Sequence, residues 1–104
     1  MSVIHLDSSN FEKTVAESEK PVLVDFWAEW CMPCKMFSPI IEDVAKELSD
    51  SVLVGKLNID ESADIAMKYG VMSIPTVIVF KDGKEQIRAV GVRSKEEVIE
   101  LPDM

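Results

Sequence analysis

The stretch Pro21-Val-Leu-Val-Asp-Phe-Trp27 is apolar at nearly every position instead of at alternate ones. A strand with one face in water alternates, whereas a continuous run marks a strand covered on both faces, which requires layers on either side of a sheet. Soon after it the period changes. Phe37, Ile40, Ile41, Val44, Ala45 and Leu48 recur at spacings of three and four, predicting a long amphipathic helix from Cys31 onward. Pro33 falls in its first turn, where no N–H bond is lost, while Pro39 lies inside and is expected to kink it. A doubly covered strand that runs into a helix is the opening half of a parallel crossover unit.

The flanking segments extend this unit. Val3-Ile-His-Leu6 reads as a short strand. Ser9 and Glu12 have capping-box spacing and predict a helix with Phe11 and Val15 on one face. Val52 through Ile59 reads as another buried strand, and Asp60 to Tyr69 as a short helix ended by Gly70, a suitable left-handed cap. Thr76-Val-Ile-Val-Phe80 and Gln86-Ile-Arg-Ala-Val90 flank Lys81-Asp-Gly-Lys84, and Asp-Gly between two such runs is a hairpin signal. Ser94 and Glu97 make a second capping box, opening a helix that Pro102 ends. The predicted architecture is α/β: a mixed five-stranded central sheet with four helices on both faces. At 104 residues, with no linker, repeat or composition shift, residues 1–104 are expected to form a single domain.

Charge narrows the function. Eleven basic and nineteen acidic residues leave a net charge of −8, which repels phosphate backbones and anionic lipid, so neither nucleic acid nor membrane is an expected partner. The two cysteines, Cys31 and Cys34, are too close for a bridge between them to restrict the unfolded chain appreciably. Met1-Ser-Val-Ile-His-Leu-Asp7 lacks a basic stretch followed by an apolar run, so no export signal is read. A thiol pair without export points to a reducing compartment, and a cytoplasmic location is expected.

Trp30-Cys-Met-Pro-Cys34 sits where the buried strand gives way to the long helix. The free N–H groups and partial positive charge of a helix start stabilise a thiolate at Cys31, so its pKa is expected to fall from the free value of ~8.5. Cys34, one turn on, is more shielded and placed to attack a mixed disulfide formed at Cys31. Two thiols so spaced can pass two electrons to another protein's disulfide. Zinc is the competing use of the pair, but it wants four ligands and His5 is the only histidine, leaving a dimer that shares four thiolates as the open version. Asp25 is the second anomaly. It lies between Leu23-Val24 and Phe26-Trp27, where burial of a charge is expensive, and desolvation is expected to raise its pKa toward neutrality.

Val24-Asp-Phe-Trp-Ala-Glu-Trp-Cys-Met-Pro-Cys-Lys35, Ser73-Ile-Pro-Thr76, Lys81-Asp-Gly83 and Gly91 together resemble the thioredoxin family, in order and spacing, over nearly the whole chain. The resemblance implies the thioredoxin fold and a protein-disulfide reductase with no bound cofactor beyond the redox-active Cys31–Cys34 pair. It implies Cys31 as nucleophile, Cys34 as resolving thiol and Asp25 as the proton-transfer group, with Lys56 near the buried acid as a modulator of its pKa. It also implies that Pro75 is cis and faces the cysteines, although an X–Pro bond is ordinarily trans. The Ile74 backbone would then pair with substrate chain. Trp30, Ile74, Val90 and Gly91 would form the apolar rim, with Pro33 beside them, and Trp27 would pack beneath. The implied partners are a flavoprotein thioredoxin reductase and disulfide-containing target proteins, met by a monomer.

Three features depart from that pattern. Met32 stands where the family most often has Gly, and the residues between the cysteines tune the balance of dithiol and disulfide. Met72 stands where many members carry a polar or basic residue, so the two methionines suggest an apolar, adaptable rim. The last helix ends early at Pro102-Asp-Met104, predicting a less covered sheet face. Met32 keeps open a thiol oxidant or isomerase of the same fold, and a non-catalytic binding module is the remaining alternative.

Overall fold

The computed structural model describes residues 3–104; Met1 and Ser2, which begin the segment read for an export signal, lie outside them. Five strands form one sheet: β1 (Val3–Leu6), β2 (Val22–Trp27), β3 (Leu53–Asn58), β4 (Thr76–Lys81) and β5 (Lys84–Val90), in the order β1-β3-β2-β4-β5. β3 pairs parallel with both β1 and β2, while β4 pairs antiparallel with β2 and with β5. The continuous apolar run is thus a central strand, buried from Val22 to Phe26.

Its two faces feed two cores. Val22, Val24 and Phe26 pack with Phe11 and Val15 of α1 (Phe11–Glu17) and Ile65 of α3 (Ala63–Lys68). Leu23 packs with Phe37, Ile41, Val44 and Ala45 of α2 (Met32–Glu47) and Val98 of α4 (Lys95–Glu100). Side chains as fully buried as Phe37 and Val44 contribute roughly 1.5–3 kcal/mol each. Helices therefore cover both faces, and α2 runs through Pro39 as one helix.

Local chemistry sets the ends. Asp82 and Gly83 both have positive φ (53° and 80°), the geometry that matches the twist of a two-residue hairpin. The capping box at Ser94 and Glu97 forms in both directions. The one expected at Ser9 and Glu12 does not form. Asn10 caps α1 without a side-chain bond to the helix, because Asp7 Oδ1 engages Ser9 and Asn10 Oδ1 turns back to the Asp7 N–H. α3 starts at Ala63, three residues later than its pattern suggests, since Asn58 Oδ1 accepts the Asp60 and Glu61 N–H groups in a tight turn. β5 begins at Lys84 with an irregular register beside Phe80, and Pro102 sits in a short 3-10 turn (Leu101–Asp103) that prolongs α4 instead of stopping it. Leu101 and Pro102 are buried there, so the short C-terminal segment still covers its part of the sheet.

Candidate active site

The carboxyl ends of β2 and β3 point the same way because the strands are parallel, and the α2 and α3 connections leave from that edge. β4 runs the other way and so begins there, and β5, reversed again, ends there. The register pairs Phe26 with Thr76 and Thr76 with Val90. Topology alone therefore gathers the dithiol segment, Ile74-Pro75 and Val90-Gly91 at one edge, the general location of sites in open α/β sheets.

Cys31 is the N-cap of α2, with extended backbone (φ −94°, ψ 103°), and Pro33 lies in the first turn. The Cys34 N–H donates to Cys31 Sγ at 3.2 Å, so the sulfur occupies the place a capping oxygen normally takes. Cys31 and Cys34 are joined as a disulfide, their Cα atoms 5.3 Å apart. The expected contrast in exposure between the two is small in this state: Cys31 is 5% exposed and Cys34 2%. Ala28 packs beneath both, and Trp27 and Ile74 close the cluster.

The Ile74–Pro75 bond is cis, and the Ile74 carbonyl oxygen lies 3.9 Å from Cys31 Sγ. Pro75 is buried, and its own carbonyl accepts the Gly91 N–H at 2.8 Å, which ties the end of β5 to this loop. Above the sulfur is a shallow depression of about 590 Å³, lined by Trp30, Cys31, Met32, Pro33, Met72, Ser73 and Ile74. Val90 and Gly91 stand off it, Val90 half-exposed.

Asp25 on β2 is 1% exposed, with Oδ1 buried and without a hydrogen-bond partner. Burial pushes its carboxyl up to about 7, opposed by the positive charge of Lys56. Lys56 is in register with Asp25 across the β2–β3 pair, but its ammonium sits 4.3 Å from the centroid of the Trp27 ring. Among the described residues, no three His, Cys, Asp or Glu side chains gather as a metal cage, and no helix is long and apolar enough to cross a membrane.

Two residues of this region were missed from sequence. Asp60 Oδ2 accepts the Trp30 indole N–H at 2.8 Å, holding an exposed ring at the edge of the depression. Buried Asn58 in turn bonds the Asp60 backbone. The available signal was Asn58-Ile-Asp60 at the end of a strand, where Asn and Asp favour turns over helix.

The family model described as Thioredoxin matches residues 2–102. The chain belongs to the thioredoxin family. A thioredoxin of Rickettsia bellii is 50% identical over 96 residues, 92% of this chain and 91% of the relative. The thioredoxin of Pseudomonas aeruginosa is 44% identical over 101 residues, covering 97% and 94%, and that of Acidithiobacillus ferridurans 44% over 102, covering 98% and 94%. The mixed sheet with its four helices is the thioredoxin fold expected from the sequence. Membership in the thioredoxin family, with a Cys31–Cys34 pair at disulfide distance, implies a dithiol–disulfide oxidoreductase.

Proposed function

We propose that this chain is a general protein-disulfide reductase, carried by one domain and working as a monomer in the reducing cytoplasm. Cys31 thiolate attacks one sulfur of a target disulfide, forming a mixed disulfide and releasing the first target thiolate. Asp25 takes the proton of the Cys34 thiol, and Cys34 sulfur attacks Cys31 sulfur. That step expels the second target thiolate and leaves the Cys31–Cys34 disulfide. Two electrons have then passed to the target, and a flavoprotein thioredoxin reductase returns them. Lys56 modulates Asp25 through its charge. Trp30, Met32, Pro33, Met72, Ile74, Pro75, Val90 and Gly91 receive the target chain, with the Ile74 carbonyl next to the attacking sulfur.

The observation that carries this reading is the Cys34 N–H donating to Cys31 Sγ at the start of α2, since the same donor and helix dipole favour a negative sulfur once the pair is reduced. Trapping tests it. Cys34→Ser protein is expected to accumulate target proteins as mixed disulfides through Cys31, under conditions where the wild type reduces insulin. Absence of such adducts would remove the assignment of roles.

A further inference from the structure

We propose that Met32, Met36 and Met72 form an adaptable apolar lip that selects target disulfides flanked by bulky apolar side chains, an inference that rests on the disulfide-exchange reading above. Methionine is ordinarily a gap-filler of cores. Here all five described methionines lie outside the core, between 66% and 94% exposed. Two of them, Met32 and Met72, line the depression over Cys31, and Met36 neighbours Met32 one turn along α2. Met32 separates the two cysteines, and Met72 precedes the Ser73-Ile74-Pro75 loop.

Met72, 94% exposed, has the greatest exposure of the large apolar side chains described, and it lines the same depression as Met32 and Cys31. Every residue lining that depression is uncharged, on a chain whose net charge is −8 and of which 29% is charged. An uncharged, thioether-edged hollow on an acidic protein opposes an acidic neighbour, while apolar neighbours lose water on contact. Unbranched thioethers rotate to fit differing shapes, whereas Trp30, fixed by Asp60, supplies a rigid wall. The occupant is therefore a segment of another protein with Leu, Ile, Phe or Trp within two residues of the attacked cysteine.

Two cystine peptides of equal length and charge test this, one with Leu and Phe beside the cysteines and the other with Ser and Gln. The wild type is expected to reduce the apolar peptide with kcat/KM about tenfold higher, the scale of discrimination one apolar contact supplies. Met36→Gln/Met72→Gln protein should compress that ratio to about threefold or less, and Met36→Leu/Met72→Leu should keep it; Met32 stays intact because it separates the reacting thiols. Equal wild-type rates, or a ratio unchanged in the Gln variant, would overturn the proposal alone. If neither peptide is reduced, the disulfide-exchange reading falls and this one with it. A wild type that dimerises on sedimentation while the Gln variant stays monomeric would assign the lip to self-association and overturn it as well.

Discussion

Asp25 and Lys56 are neighbours in register on β2 and β3, yet the ammonium of Lys56 stacks on Trp27 and leaves Asp25 Oδ1 with no bond. A carboxyl so placed is held by desolvation, and its pKa of about 7 makes it a group that gains and loses a proton near neutrality.

That arrangement gives stability a definite pH dependence. The folded pKa of about 7 lies above the ordinary value of 3.8, so the unfolded chain releases this proton first as pH rises. The contribution of Asp25 is therefore fully favourable below about 4, falls between 4 and 7, and stays low above 7. Asp25→Asn has no such loss. It is expected to be more stable than the wild type by roughly 2–4 kcal/mol at pH 8 and to lose that gain toward pH 4. Disulfide exchange should slow about tenfold or more, as when a proton-transfer group is removed. Thermal melts at both pH values and insulin-reduction rates check the two halves. A variant that melts lower at pH 8 and exchanges at full speed would show that the acid is neither destabilising nor used.

The Trp30–Asp60 hydrogen bond predicts a separation of function from stability. Both side chains are exposed at the edge of the depression, so Asp60→Ala should change stability by no more than about 1.5 kcal/mol, the net worth of one such bond. The freed indole should show lower fluorescence anisotropy, and reduction of protein targets should weaken several-fold. Asp60→Asn retains an acceptor oxygen and should behave as the wild type in both measurements.

Helix capping supplies a paired prediction. Ser94 caps α4 and its partner Glu97 returns the bond, so Ser94→Ala should cost about 1 kcal/mol in denaturant unfolding. Ser9 caps nothing, its hydroxyl bonding only the exposed Asp7 carboxylate, so Ser9→Ala should cost less than half of that.

The contrast between those two serines shows what was legible in the sequence. Periodicity is local, and the continuous run at β2, the spacing of three and four along α2 and the Asp82-Gly83 turn each gave their element. Asp25 stood out for the same reason, since its apolar flanks in one strand are a local observation. Capping signals failed where a second polar residue competed: Asp7 captured Ser9, and Asn58 took the amides that would have started α3 earlier. Register between strands is nonlocal, so nothing in the order of residues placed Lys56 over Trp27 or brought Asp60 to Trp30 across thirty positions. The cis bond before Pro75 was reached only through the family resemblance, because ordinary chain preferences favour trans.

In the reduced protein the start of α2 is expected to hold the Cys31 sulfur as a thiolate. Alkylation of the reduced protein with iodoacetamide across pH 5–10, with the modified cysteine located by peptide mass, measures this directly. Cys31 should react first, with a rate midpoint clearly below the free thiol's ~8.5, while Cys34 lags behind it. Equal, slow alkylation of both cysteines with midpoints at or above ~8.5 would contradict the account.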